Sequence, residues 1–343
     1  MLEKPDITDS KIVACLHDAY GLNVAQFAFL PLGADRNTAV YRAVTDDAAP
    51  YFVKLRSGSF NETTIIVPKR LHDQGIRQVI VPLPTRSQQL WADLGDLKLM
   101  VFPFIEGCNG YETEMLDHHW LEFGRALKAI HTAGLSTTIT KHLPIETYSD
   151  EWRERVRQFL ELAAENAFHD RVAAELAGFL KAKCSEISAL AKRAEDLAAV
   201  LQTRSQQFIL CHADIHAGNI LIDTDDQFYI VDWDTLILAP KERDLMYVGG
   251  GQFLNKRTAE EEEALFYQGY GATQADPVAL AYYRYERIVQ DIAAYCEEIL
   301  LTHGASKDRE NGLRQLISQF EPNDVVAMAY RTEQFLPQQY ASD

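Results

Sequence analysis

No run of apolar residues in this sequence approaches the roughly 20 needed to cross a bilayer as a helix. The first residues, MLEKPDITDSK, lack the apolar core of an export signal. A protein that spans a membrane or leaves the cell is therefore not expected, and a cytoplasmic one is. Cysteine is sparse: the five, Cys15, Cys108, Cys184, Cys211 and Cys296, form no C-x-x-C and no even framework. That excludes a disulfide scaffold and suits a reducing compartment. Basic side chains are outnumbered, 33 against 50 acidic, for a formal charge of −17. Such a balance opposes binding to nucleic acid or anionic membranes and favours a cationic small molecule as partner. No Pro- or Gly-rich linker, internal repeat or low-complexity tract divides the chain. With 343 residues, 47% of them hydrophobic, it can bury a large core in one body of two lobes, or two domains at most, expected as a monomer or weak homodimer.

What the chain does have is concentrated between Cys211 and Asp234, CHADIHAGNILIDTDDQFYIVDWD. Two β-branched, apolar segments, Asn219 to Asp223 and Gln227 to Asp232, flank the polar turn Thr224-Asp225-Asp226, a hairpin signal. With the turn centred between Asp225 and Asp226, Ile222 faces Tyr229, Leu221 faces Ile230 and Asn219 faces Asp232. The last two are then neighbours across the ladder, with Cα atoms roughly 4.5 to 5.5 Å apart. An amide oxygen and a carboxylate so placed are hard ligands for Mg²⁺, which keeps several waters and takes other oxygens from a nucleotide's phosphates. Asp214, on the loop entering the hairpin, can accept a hydrogen bond from an incoming hydroxyl, the task of the base in phosphoryl transfer. His212 reads as a structural residue that donates to backbone. Cys211 reads as a buried strand residue. A rival reading takes His212, Asp214 and His216 as alternating ligands of a transition metal in a hydrolase, though no further His or Cys cluster completes the site.

An ATP donor calls for a lysine on an upstream strand, and Tyr51-Phe52-Val53-Lys54-Leu55 supplies it, with Ala39 to Ala43 as its hairpin partner. The preceding loop, Leu32 to Thr38, has a single glycine, Gly33; its small and polar residues can still lay N–H groups over phosphates. Glu62 opens a helix that runs to Gly75 across Pro68, and it is a candidate partner for Lys54 or a first-turn carboxylate favoured by the helix dipole. Leu97 to Gly107 reads as a buried strand running into a linker. There Pro103 offers a carbonyl and Ile105 an N–H to an adenine edge, with Phe102 behind the ring.

Together, Gly33, Lys54, the Phe102 to Gly107 segment, HADIHAGN and IVDWD resemble the aminoglycoside phosphotransferase and choline kinase family of small-molecule kinases. The resemblance implies an α+β, two-lobed protein-kinase-like fold: an N-terminal antiparallel sheet lobe with a helix, and a larger, mainly helical C-terminal lobe. It implies ATP and Mg²⁺ as cofactors, Asp214 as base, Asn219 and Asp232 as metal ligands and Lys54 as the phosphate lysine. Trp233 and Asp234 stand where a protein kinase has Phe and Gly. The acceptor implied is the hydroxyl of an aminoglycoside or aminocyclitol, spectinomycin above all. Kinases of choline, homoserine or a methylthio-sugar remain open, as does a non-catalytic nucleotide-binding protein.

The lobes are expected at 1–105, with a hinge at about 102–107, and 106–343. The first carries a helix near Ser10 to Tyr20 and strands at about 27–31, 39–44, 51–55, 90–92 and 97–102. The second carries an amphipathic helix Met115 to His131 with Leu116, Trp120, Phe123, Leu127 and Ile130 on one stripe, a helix Ser149 to Glu165 and a long helical stretch Arg171 to Arg204, read over Arg171 to Leu201 as a helical pair. Later helices at Thr258 to Tyr270 and Val278 to Leu301 bring Tyr267, Tyr282, Tyr295, Glu297 and Glu298 to this lobe. Asp291 and Asp234 are the candidates to meet a cationic acceptor. Asp244, at the start of another helix, caps it or braces the catalytic loop.

Overall fold

A computed structural model describes residues 4–33, 37–249, 257–302, 307–322 and 324–340. Ala34, Asp35 and Arg36 of the first loop lie outside the described residues. In chain order the first elements are α1 (Asp9–Cys15), β1 (Val24–Leu30), β2 (Thr38–Thr45), β3 (Pro50–Arg56), α2 (Thr63–Asp73), β4 (Ala92–Leu94), β5 (Leu97–Pro103) and β6 (Gly107–Asn109). Then come α3 (Asp117–Thr132), α4 (Thr137–Thr140), α5 (Glu151–Glu165), α6 (Arg171–Gln202), β7 (Ile209–Cys211), β8 (Ile220–Asp223), β9 (Phe228–Ile230) and β10 (Ile237–Ala239). The last are α7 (Glu242–Leu245), α8 (Ala259–Tyr270), α9 (Pro277–Leu300), α10 (Lys307–Ser318) and α11 (Val325–Thr332). None of the described helices is long and apolar enough to cross a membrane, and all five cysteines are free thiols.

The chain forms two compact units. One comprises Met1–Thr113, Ala133–Leu143 and Ala217–Leu236; the other comprises Glu114–Thr132, Pro144–His216 and Ile237–Asp343. The first unit is thus not simply the chain up to residue 105. Residues 217–236 join it because β8 pairs with β6, Val79 bridges Ile230 and the Ile230 N–H donates to the Gln78 carbonyl at 2.8 Å.

The first unit is built on an antiparallel sheet in the order β1-β2-β3-β5-β4. Along β3, Val53 and Leu55 are buried with Tyr41, Leu99, Val101, Ile12 and Leu16 in one core. Side chains alternate along a strand, so Phe52, Lys54 and Arg56 share the other face. The alternation of β3 is therefore what aims Lys54 away from the core.

The hairpin of this unit departs from the sequence-based register by one residue. Ile220 pairs with Ile230, Leu221 with Tyr229 and Ile222 with Phe228, so Asn219 stands opposite Val231, whose N–H donates to the Asn219 carbonyl at 3.0 Å. The cause is the turn. Asp223 and Gln227 still pair, leaving a three-residue loop rather than a two-residue one. Asp226 takes φ 63° there, and the Asp223 carboxylate accepts from the Asp225 and Gln227 N–H groups at 2.9 and 2.8 Å.

The second unit is mainly helical. Asp276 caps α9 by accepting from the Val278 N–H at 2.9 Å, with Pro277 at the first helical position. The segment expected as a helical pair is one 32-residue helix, α6, capped by Asp170. Gly178 does not break it, because its backbone is not in the left-handed region a helix stop requires. Leu116 precedes α3 and is exposed, while Trp120, Phe123, Leu127 and Ile130 are buried as the stripe predicts.

Helices α3 and α8 meet backbone to backbone. A Cβ on Gly124 would lie 2.2 Å from the Phe266 carbonyl oxygen, and one on Gly269 would lie 2.0 Å from that of Leu121. Neither carbonyl can move without breaking its helix. Gly124→Ala is therefore expected to destabilise the protein by about 3 kcal/mol. Gly178→Ala, with no atom within 4 Å of the new methyl, is expected to stabilise it by about 0.8 kcal/mol. Urea denaturation of the two variants checks both signs.

Candidate active site

In the first unit the site is organised by Lys54. Its ammonium is 2.8 Å from Asp234 Oδ2 and 3.6 Å from Asp232 Oδ1. Arg56, two residues on and on the same face, donates to Asp234 Oδ2 at 2.9 Å. The expected partner, Glu62, is exposed at the N-cap of α2, and the pair with Lys54 does not form. Eight residues on, the chain has only just entered the helix. The two strand-end carboxylates satisfy the lysine instead, so Asp234 stands beside Lys54.

Asp232 owes its position to its backbone, φ 61° and ψ 72°, a left-handed turn that Asp tolerates better than most residues. Trp233 pins the turn: it is buried, and its indole N–H donates to the Ile230 carbonyl at 3.2 Å. Asn219 is buried at the end of the short turn Ala217–Asn219, while 53% of the Asp232 side chain is exposed. An amide oxygen and an accessible carboxylate beside a lysine are a hard donor set that fits a Mg²⁺ carrying water and phosphate oxygens. Phe102 lies opposite Phe52 with ring centroids 6.4 Å apart. Pro103 ends β5 opposite Tyr51, and the Phe104 N–H donates to the Pro50 carbonyl at 3.3 Å, steadying the chain that leads to the half-buried Ile105. Gly33 has φ 85° where the chain enters the first loop.

In the second unit the site is the loop after β7. Asp244, fully buried on α7, accepts from the backbone N–H groups of His212 (2.9 Å) and Ala213 (2.7 Å) and lies 2.9 Å from His131 Nε2. It braces the loop. His131 Nδ1 in turn meets the Tyr270 hydroxyl at 2.8 Å. Burial would raise the Asp244 carboxyl, but the hydrogen bond and charge of His131, with His212 and the Ala213 N–H, hold it below the usual carboxylate range. Ala213 has φ 70°, so the chain is not extended there and His212, Asp214 and His216 do not alternate. They form no ligand group among the described residues. His212 is buried, and its Nδ1 accepts from the Asp214 N–H at 3.3 Å.

The Asp214 carboxylate lies in a cluster the sequence did not reveal. Arg287 on α9 donates from one terminal nitrogen to Asp214 Oδ1 (2.5 Å) and to the Tyr247 hydroxyl (2.8 Å). Tyr247 donates to the same Oδ1 at 3.2 Å, and His216 Nε2 is 3.6 Å from Oδ2. Burial pushes the Asp214 carboxyl up, yet Arg287, with His216 and His212, keeps it below the usual carboxylate range. Burial also drives His216 down, though Asp214 opposes this. Asp291 is 2.8 Å from Arg287 Nε and accepts from Gln319 at 3.0 Å. Glu297 is likewise paired, with Arg155, and Tyr282 is buried. The carboxylates proposed for a cationic acceptor are thus already matched by the protein's own arginines. The i,i+4 spacing of Arg287 and Asp291 was the one sequence signal available for this cluster; Tyr247 gave none.

Residues 28–285 match the model of the phosphotransferase enzyme family. The chain belongs to that family. It is similar to the crystal structure of spectinomycin phosphotransferase APH(9)-Ia in complex with ADP and spectinomycin, at 34% identity and a TM-score of 0.90, over 96% of this chain and 100% of that one. The AMP-bound complex of APH(9)-Ia matches with a TM-score of 0.86, at the same identity and coverage. An aminoglycoside phosphotransferase from Alicyclobacillus acidocaldarius shares the fold at 17% identity and a TM-score of 0.61, over 97% of this chain and 98% of that one. No curated protein matches in sequence. The protein is a small-molecule phosphotransferase with the kinase-like fold of these enzymes, an N-terminal antiparallel sheet and a helical C-terminal part.

Asp244→Asn keeps the shape of the brace but removes its charge. It is expected to cost about 3 kcal/mol at pH 7. A carboxyl held low in the folded state contributes stability above its unfolded value of about 3.9 and loses it as pH falls through the lower folded value. The gap between parent and variant should therefore persist down to about pH 4 and close below it, as thermal melts across pH will show.

Proposed function

We propose that this phosphotransferase moves the γ-phosphoryl group of ATP, with Mg²⁺, to a hydroxyl of the aminocyclitol spectinomycin. The observation that carries the chemistry is Asp214: a half-buried carboxylate kept ionised by Arg287 on a loop whose backbone is locked by Asp244. A carboxylate of low basicity suits a loose transition state, in which the attacking hydroxyl gives up its proton late and needs orientation more than early deprotonation. Asp214 accepts the hydrogen bond of that hydroxyl and receives its proton. Lys54, held extended by Asp234, contacts the nucleotide phosphates. Asn219 and Asp232 would hold Mg²⁺, which when bound neutralises the charge of the phosphate oxygens. The acceptor rests on the near full-length likeness to APH(9)-Ia, and a formal charge of −17 suits a cationic one.

The test is phosphate transfer from ATP to spectinomycin, followed by ADP release, with the product located by NMR. Silence on spectinomycin and other aminocyclitols, with transfer to an amino alcohol of metabolism, would remove the acceptor and keep the chemistry. Asp214→Asn is expected to lower kcat by about 10³-fold while leaving KM for ATP near that of the parent. A variant as active as the parent would sink the assigned base. Asp232→Asn should raise the Mg²⁺ concentration needed for half-maximal rate, because it trades a charged oxygen ligand for a neutral one.

A further inference from the structure

We propose that Arg287 is the positioning residue of the transfer step, fixing the Asp214 carboxylate by sharing one guanidinium between Asp214 and Asp291. This rests on the assignment of Asp214 as base. The geometry is a bracket. One terminal nitrogen reaches Asp214 Oδ1 at 2.5 Å and the Tyr247 hydroxyl at 2.8 Å, and Nε reaches Asp291 Oδ1 at 2.8 Å. Tyr247 closes it from the other side, donating to Asp214 Oδ1 at 3.2 Å, with its ring 5.8 Å from the guanidinium carbon. Asp291 Oδ2 is itself held by Gln319. A planar fork that points two nitrogens at two carboxylates in fixed directions is something arginine provides and lysine, a single point charge on a flexible stem, does not.

The bracket acts on one oxygen of the base. With Oδ1 held by Arg287 and Tyr247, rotation of the carboxylate costs two hydrogen bonds, so Oδ2 keeps a fixed bearing toward the acceptor hydroxyl. Charge follows the same geometry. Near Asp214 stand Arg287 and Tyr247, with His212 and His216 from its own loop, and Asp291 holds the same Arg287. Among them Arg287 is the permanent cation and Asp291 the competing anion. Removing one or the other must therefore move the Asp214 titration in opposite directions.

The experiment compares Arg287→Gln, Arg287→Lys and Asp291→Asn by the pH dependence of kcat/KM. It also follows the ¹³C carboxyl titration of Asp214, assigned by its loss in Asp214→Asn. Arg287→Gln is expected to lower kcat about 10²-fold with KM for ATP unchanged, and to shift both the acid limb and the carboxyl titration upward by about one pH unit or more. Asp291→Asn should shift both downward, since Arg287 then serves Asp214 alone. Arg287→Lys should keep the titration near that of the parent yet recover only part of the turnover. Should Arg287→Gln fail to fold, the downward shift in Asp291→Asn and the split in Arg287→Lys decide the matter. An Asp214 titration unmoved by these changes, in an enzyme that Asp214→Asn has inactivated, overturns the role of Arg287 alone. An active Asp214→Asn overturns the base, while the carboxyl titration still reports whether Arg287 grips Asp214.

Discussion

The loop that carries Asp214 depends on one buried carboxylate. Asp244 has no exposure to solvent and must find all its partners inside the protein, because an uncompensated carboxylate in such a place is prohibitively costly. It finds them in two consecutive backbone N–H groups and a histidine. That demand holds Ala213 at φ 70°, a conformation costing about 1 kcal/mol or more for a residue with a Cβ, and the bend carries the next residue, Asp214, out of the line of β7. The close crossing of α3 and α8 serves the same end. His131 lies seven residues beyond Gly124, on the same face of α3, and Tyr270 follows Gly269 directly. Helices brought together by two glycines therefore deliver the imidazole and the hydroxyl that hold each other and, through the imidazole, Asp244.

Each unit carries a cluster in which carboxylates and cations are matched. In the first, Asp232 and Asp234 meet Lys54 and Arg56, which the period of two places on one face of β3. In the second, Asp214 and Asp291 share Arg287. These are partly shielded pairs with hydrogen-bonded geometry, so their worth lies in orientation more than in stability; a lone surface pair contributes about 1 kcal/mol or less. Orientation is what phosphoryl transfer needs, since the protein does little covalent chemistry in it.

Much of this was legible in the sequence because it depends on local period. Alternation located β3 and turned Lys54 away from the core, hairpin pairing located β2 and an apolar run β5, and the 3.6-residue stripe located α3 with four of its five apolar positions. The conjunction of HADIHAGN and IVDWD pointed to the family that the comparisons show. What failed was whatever depends on contacts far along the chain. Asp234 lies 180 residues from Lys54, and Arg287 lies 73 from Asp214; no local pattern ranks such partners. The long α6 was expected as two helices, and it holds as one on two buried stretches, Val172, Leu176 and Leu180 and then, two turns on, Ile187, Leu190, Ala194 and Leu197.

The one-residue slip of the hairpin leaves the position of Asp232 to the chain beyond the ladder. A slip exchanges the two faces of a strand, and here it is Val231 that stands opposite Asn219. An Asp232 that continued the ladder would therefore have been turned away from Asn219. But β9 ends at Ile230, and the face rule ends with it. At φ 61° Asp232 leaves the pleat altogether, and Trp233, bonded back to Ile230, fixes the angle at which it does so. The carboxylate then comes to 3.6 Å from Lys54, across the sheet boundary that strand pairing alone would not cross. The position of this carboxylate is therefore specified by an Asp that accepts a left-handed backbone and by a tryptophan that needs a buried acceptor, not by the ladder.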